Sequence, residues 1–540
     1  MLLSELESPP SYRAPQQDGG CVSIPAWSTL PALIDGAAAH SPGDVEILGQ
    51  PLAELQRTAR AELLTAAQAY VAGYAAGVRG VAPDRPLVVV GHQPELVHPG
   101  VWLKNFAAAE LARQSGGTAL HLVIDTDSAH SPTTRVPTGP VTDAAINSVA
   151  FDSPHMPMAW EQRRISDAGL WDSFGDRVGT ALESLGVNPF IRDWWPRVLE
   201  RSAATGSPGL AMAQARHLTE LAWGAETLEL PQSTVCQSGA FRRFACHLVA
   251  HLPRFSAAYN EALAAFRRRH GIRNHAQPMP NLADDGEWLE APLWLWSNDD
   301  PTRRALFARQ RGDAIELTDR DRFCECLPLS ADGDPAEAIG LLGGWESRGV
   351  KLRSRALVTT LFARLALADL FIHGIGGARY DEVADRLSRE FFGIDPAPYA
   401  AISGTLRLPI KHQRATESDV RSLNRQLRDM EFHPEKFFDP IELPAAEERQ
   451  AAEWRAAKRE WISTAKTPQN ARERHLAIAE ANRRLTGLLL PLRQETERRL
   501  AAARSRLRTT AVLESREYAF CLFPREQLRG FLLDFAARLA

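Results

Sequence analysis

Two histidines six residues apart, His92 and His98, share one loop with Gly91 and Gln93, and Lys104 follows a turn later. Imidazoles and an ammonium beside a helix N-terminus suit an anion, because the free N–H groups and the helix dipole both favour negative charge. They would stabilise charge developing on a phosphoryl or carboxyl oxygen. A lone loop histidine is more often a surface residue, and Lys104 could equally reach away into solvent. Asp125 and Asp127 form a second cluster. Carboxylates there can orient a hydroxyl, an ammonium or a hydrated Mg2+, or simply cap a loop. A third cluster is Gly374, Gly376, Gly377 and Arg379. Its glycines would let backbone N–H groups approach a ligand, with Arg379 pairing to phosphate or carboxylate. A structural turn with a solvated arginine is the plainer alternative.

The elements that must position these groups are legible. Leu87–Val90 is a continuous apolar run, the mark of a strand buried on both faces. Pro94, Pro99 and Gly100 interrupt regular structure, and from Val101 the spacing of Leu103, Phe106, Ala107 and Leu111 is helical. Gly116-Gly117 ends that helix and Ala119–Ile124 reads as the next strand. Strand, turn, helix and strand in this order form a right-handed unit of a parallel sheet, whose ligands bind beyond the carboxyl ends of the strands. The pattern returns later: a helix from Ser354 to about Leu367, a strand Ala368–His373, the glycine turn, and a helix from Asp381 to Phe392. Ala400–Leu408 offers one more strand. The loop sequence matches neither the dinucleotide nor the Walker fingerprint.

The chain has 540 residues, with 62 basic and 66 acidic side chains and a net charge of −4. Two to four structural units are expected at this length. The charge balance gives no reason to expect nucleic acid. Cysteines 21, 236, 246, 324, 326 and 521 are scattered, and the lone Cys324-x-Cys326 pair lacks the second pair of a zinc site. Reduced thiols in a cytoplasmic protein are expected, with no structural metal. The opening MLLSELESPP lacks the regions of a signal peptide. No apolar run approaches membrane-spanning length, so no membrane partner is expected.

The expected organisation runs as follows. Residues 1–80 form a surface segment and a helix from Ala53 to about Gly77. Residues 81–155 hold the first part of a Rossmann-like parallel core, and 345–443 the second. Between them, 156–344 are a mainly helical insertion, clearest over Phe241–Arg269. Within it, Asn274–Asp300 gathers Gln277, Asp284, Asp285, Glu287 and Glu290 beside His275, Trp288, Trp294 and Trp296. That is an acidic, tryptophan-lined site or, more commonly, core aromatics. Residues 444–512 carry heptad-like spacing through Leu485, Leu489, Leu492, Thr496, Leu500, Ala503 and Leu507, and read as an antiparallel coiled coil kinked at Pro491. Its stripe is long enough to predict a homodimer. Residues 513–540 return to the core.

GHQPELVHPGVWLKNFAAAELA resembles the Gly-x-Gln…Gly-Pro…Lys loop and helix of the bacillithiol biosynthesis cysteine-adding enzymes. HLVIDTDSAHSPTTRV stands where that family carries a strand and an acidic, histidine-containing segment, although IDTDSAH replaces its usual Glu-Asp-His-Asp run. ALVTTLFARLALADLFIHGIGGARYDEVADRLSREFFGI resembles the family's later helix, strand and glycine loop, and the late coiled coil agrees in order. The resemblance implies a divergent member. It implies a nucleotidylyltransferase-like core and a ligase that joins cysteine, by an amide, to an amine of a sugar-type acceptor. Carried over, it would make His92, Gln93 and Lys104 first-loop substrate or phosphate contacts, with Asp125 and Asp127 at the acidic positions and Gly374, Gly376, Gly377 and Arg379 in the second loop; His98 and Pro99 depart from the family's Gly-Pro. Together with the residue chemistry above, the expected catalytic residues are His92, His98, Lys104, Asp125 and Asp127, and the expected substrate or nucleotide contacts are Gly91, Gln93, Gly374, Gly376, Gly377 and Arg379. ATP, alone or with Mg2+, would be the expected cofactor. A nucleotidylyltransferase without ligation and a metabolite-binding scaffold are the alternative readings.

Overall fold

The computed structural model describes residues 12–38, 43–77, 81–274, 276–277, 279–439 and 442–539. Residues 1–11 of the N-terminal segment and His275 lie outside the described residues. The chain is a mixed α/β protein built on a six-stranded sheet. The strands of its two larger sheets are, in chain order, β1 (Cys21–Ile24), β2 (Leu87–His92), β3 (Thr118–Val123), β4 (Leu228–Pro231), β5 (Leu289–Ser297), β6 (Arg304–Arg311), β7 (Ala314–Thr318), β8 (Cys324–Leu327), β9 (Val350–Ser354), β10 (Leu370–His373) and β11 (Tyr399–Gly404). The six-stranded sheet has the spatial order β1-β11-β10-β2-β3-β4. β2, β3, β4, β10 and β11 run parallel, and β1 is an antiparallel edge on β11.

Side-chain alternation divides this sheet between two apolar layers. Leu87, Val89, Leu120, Leu122, Leu228 and Leu230 face one layer, against the helix Leu52–Ala72. Val88, Val90, Ala119, Leu370, Ile372, Ala400 and Ile402 face the other, with the helix Pro99–Gln114 and the C-terminal segment around Phe520–Phe535. Both faces are covered, which is why the strands read as unbroken apolar runs. Among the described residues no helix is long and apolar enough to cross a membrane.

Among the described residues, the stretch 156–344 carries six helices, from Ala168–Glu183 to Leu252–His270, together with strands that the expected mainly helical insertion did not include. β4 lies inside it and extends the parallel sheet beyond β3. A second, five-stranded antiparallel sheet, of order β8-β7-β6-β5-β9, occupies its later part. The hairpin β6–β7 pairs Arg311 with Ala314 across Gly312-Asp313, and Gly312 has φ +61°. A two-residue loop that begins with glycine is a hairpin signal. Arginines at 304, 309 and 311 hid the alternation around it. Ser354 ends β9 rather than capping a helix, and Arg355 takes the N-cap of Ala356–Phe362.

The C-terminal helices also depart from a simple hairpin. Glu417–Phe432, placed by sequence in the core, packs along Leu490–Leu513, while Ala445–Ser463 packs along Ala471–Leu488. Pro491 begins a new helix instead of kinking a long one. Leu485, Leu489, Thr496, Leu500 and Ala503 are buried by these neighbours within the chain. The stripe that suggested a homodimer is therefore largely covered without a partner.

The helix Pro99–Gln114 is set by one close approach. A Cβ added at Gly100 would stand 2.1 Å from the Gly404 carbonyl oxygen at the end of β11. Gly100→Ala is expected to force the helix off the sheet and destabilise the chain by about 3 kcal/mol, the upper end of overpacking costs. Gly36→Ala, with nothing within 4 Å in the helix Leu30–Ala38, is expected to gain on the order of 0.5–1 kcal/mol. Urea unfolding of the two variants checks both signs.

Candidate functional site

A cavity of about 320 Å³ opens at the carboxyl ends of the central strands. It sits where the connections diverge: β2 leads to β3 on one side of it, and β10 to β11 on the other. Ligand sites of open parallel sheets form at such a point, because the loops separate there and leave a crevice. Gly91 and His92 line it from the end of β2 and Gln93 from just after it, Thr126 and Asp127 from beyond β3, His373 from the end of β10, and Gly377, Tyr380 and Asp381 from beyond it. Trp294 lines it from β5, Arg303 from the loop just before β6, and Thr359 and Thr360 from the helix after β9. Two turns separated by nearly three hundred residues thus meet at one crevice.

The sequence-derived residues divide. His92, the last residue of β2, is buried to 5% exposure. Its Nδ1–H donates to the Gln93 carbonyl at 3.0 Å, and its ring lies 4.2 Å from that of His121. Burial, then the neighbouring His121, Arg216 and Lys104, holds it far below its usual pKa. His92 is therefore a neutral group, not a cation facing phosphate. Gln93 donates to Asp127 at 2.9 Å, and Arg303 donates to the same carboxylate at 3.1 Å.

Three residues do not stand where the sequence placed them. Lys104 is buried, and its ammonium donates to the Gly91 carbonyl at 2.9 Å beneath the end of β2. Burial, with Arg216 nearby, brings it from 10.5 down to about 7. His98 caps the helix by accepting from the Gly100 N–H at 3.1 Å, and burial depresses it to about 3. It does not line the cavity. Arg516 occupies the space around that helix end, donating to Ser403 Oγ at 3.1 Å and to the Gly404 carbonyl at 3.0 Å. The anion site expected at this helix N-terminus is filled by protein. Asp125 accepts from the Ser233 N–H at 2.8 Å and from its hydroxyl at 2.6 Å, with burial and Glu161 raising its pKa. It holds the start of the helix Gln232–Gln237 and does not line the cavity.

Mg2+ fits poorly here. Asp125 is committed to Ser233, and Asp127 to Gln93, Arg303 and the Ser128 N–H. Asp125 has no oxygen to spare, and Asp127, though partly exposed, is a lone carboxylate already paired with the Arg303 guanidinium. Among the described residues no three His, Cys, Asp or Glu side chains are arranged to hold a metal ion.

On the second turn, Gly374 caps a four-residue helix, Ile375–Ala378, with no side chain to crowd it, and Gly376 is exposed on the same turn. Gly377 is required by contact: a Cβ there would stand 2.8 Å from Nδ1 of His373. Arg379 is exposed and lies off the cavity.

Sequence reasoning missed His373, Asp381 and Arg303. His373 ends β10 as His92 ends β2, so the shared position was a usable signal. Its Nε2 lies 2.6 Å from Asp381, which also accepts from Arg364 at 3.1 Å. Burial would raise the Asp381 carboxyl, but the His373 imidazole and Arg364 guanidinium hold it below the usual range. Arg303 follows a loop with no local motif. It reaches the Thr126 carbonyl at 3.0 Å, and its guanidinium lies 5.1 Å from the centre of the Trp294 ring. Trp294 is therefore a wall residue. Its acidic neighbours are not: Asp285 pairs with Arg320, Glu287 with Arg309 and Glu290 with Arg355. Comparison with protein-family models and with curated proteins gives no match to this chain.

Lys104 gives a test with a definite sign. Its folded pKa lies below its unfolded one, so the unfolded state binds more protons between about pH 7 and 10.5. The stability cost of burying it is full below about pH 7 and is lost as pH rises toward 10.5. Against Lys104→Met, which carries no titration, the wild type is expected to gain on the order of 1–4 kcal/mol across that window. Denaturant titrations at pH 6.5 and pH 9.5 measure the difference. A gap that does not change would mean that Lys104 stays fully charged.

Proposed function

We propose that the chain is a ligase that activates the carboxylate of an amino acid with ATP and joins it, as an amide, to an amine of a sugar-type acceptor. Cysteine is the first amino acid to test, following the bacillithiol-type resemblance of the loop and glycine-turn sequences. The observation that carries this reading is the pair Arg303 and Asp127 on one wall of the cavity, 3.1 Å apart and both partly exposed. A guanidinium and a carboxylate side by side suit a zwitterion, with the substrate carboxylate on Arg303 and its ammonium on Asp127. The diverging strand order supports a Rossmann-like core, and the paired helices of 417–513 support an antiparallel coiled coil. Exposed Phe432, Ile462, Leu476 and Leu490 are the apolar side chains through which that unit would form a homodimer. Small molecules are the expected substrates, in a cytoplasmic setting.

His92 and Lys104 take supporting roles in this reading, fixing the backbone of the Gly91–Gln93 turn. Arg303 is the residue expected to contact developing charge. Exchange of labelled pyrophosphate into ATP, dependent on an amino acid, is the expected activity. Arg303→Met should slow it by on the order of 10²–10³. Arg504→Ala, on the helix Leu490–Leu513, should leave it unchanged. Exchange without any amide product would favour a nucleotidylyltransferase. No exchange with any amino acid, together with no nucleotide binding by calorimetry, would favour a binding scaffold.

A further inference from the structure

Of the two imidazoles that line the cavity among the described residues, His92 and His373, only His373 has a nitrogen without a protein partner. Its side chain is 11% exposed, and Nε2 is fixed by Asp381 at 2.6 Å. Asp381 is in turn held by Arg364, which also binds Asp385 at 2.6 Å and the Ala397 carbonyl at 2.7 Å. A carboxylate engaged by a guanidinium is an acceptor only, so the imidazole proton resides on Nε2 and the lone pair on Nδ1. Among the described residues no protein group hydrogen-bonds to Nδ1. Phe371, with its ring centre 4.5 Å away, and Tyr399, edge-on at 5.8 Å, limit rotation of the ring. Nδ1 faces Gly377, and that position carries no Cβ. Any side chain there would press on the atom from 2.8 Å. His92 contrasts on each point: Nδ1 donates to Gln93, and Arg216 stands 3.5 Å from Nε2.

We propose that Nδ1 of His373 is the general base of the cavity, with Asp381 as the residue that positions it. Resting on the ligase reading, its task is to accept the proton of the acceptor amine. The neutral amine attacks the activated carbonyl carbon, forming the C–N bond. The bond from that carbon to the phosphate oxygen breaks, and the nucleotide phosphate leaves with the electron pair. The N–H proton passes to Nδ1, giving an imidazolium that Asp381 stabilises.

Two measurements test the assignment, and the first needs no turnover. Diethyl pyrocarbonate acylates an accessible, unprotonated imidazole nitrogen, and peptide mass spectrometry locates the label. In the wild-type chain His373 is expected to be labelled, while buried His92 and His121 are not. Gly377→Ala should lower labelling of His373 at least tenfold. Wild-type His373 that resists the reagent overturns the proposal whatever the enzyme's activity. The second measurement compares two steps in His373→Gln. Amide formation should fall by on the order of 10²–10⁴, the scale of general base catalysis, and by at least tenfold more than pyrophosphate exchange. Equal losses in both steps would mean a structural role and overturn the proposal, leaving the ligase reading in place. No exchange in the wild type overturns the ligase reading and the amine step with it. The labelling result then stands alone as the measure of an available base.

Discussion

The structure around the cavity depends on one buried cation. Arg216, on the helix Pro208–Ala222, is 2% exposed. Its Nε donates to Glu220 at 3.1 Å and its Nη2 to Glu229 of β4; the same Nη2 lies 3.0 Å from His121 of β3, and Nη1 lies 3.5 Å from His92 of β2. Glu220 also accepts from Trp102 at 2.6 Å and from Asn105 at 2.8 Å, which draws in the helix Pro99–Gln114. Two helices and three strands are thus fastened through one guanidinium and two carboxylates. Removing such a cation leaves buried carboxylates uncompensated, typically at about 3–5 kcal/mol. Its positive charge adds to burial, the larger cause, in holding the pKa values of His92 and Lys104 down.

Local pattern revealed the parallel strands and their turns, because strands buried on both faces must be apolar throughout. Leu87–Val90 and Ala119–Ile124 were legible for that reason, and so was the strand leading into Gly374. What occupies the space beside an element was not legible. The free helix end at His98 is filled by Arg516 and Gly404, more than three hundred residues distant in sequence. Lys104 read as an anion contact, or else as a solvent-facing side chain, but the end of β2 covers it. Asp125 read as a site residue and serves as an anchor for Ser233. The strands within the insertion were missed for another reason. Short strands rich in arginine and alanine carry a weak alternation, and a pairing such as β5 with β9 spans about sixty residues of sequence.

The second sheet contributes more than bulk. β5 is irregular between Ala291 and Trp294, where its register against β6 shifts. Such a bulge twists a strand and re-aims the side chains beyond it. Trp294 follows immediately and lines the cavity, with Arg303 on one contact and Arg355, 4.2 Å from its ring centre, on another. Charge, an aromatic surface and the β2 turn come together only because the insertion folds back onto the strand ends of the first sheet.

The strand order carries a consequence for how the chain is made. β10 and β11 lie in the middle of the six-stranded sheet, yet they are the last of its strands to leave the ribosome. Until they emerge, β2 has no neighbour on one side and β1 has none at all. At about 5–20 residues per second, that interval lasts on the order of tens of seconds. The open flank is Val88, Val89 and Val90, an uncharged stretch of the kind that recruits foreign strands. A nascent chain of this protein therefore has a long window of vulnerability to aggregation, which a chaperone gripping residues near 87–92 would close.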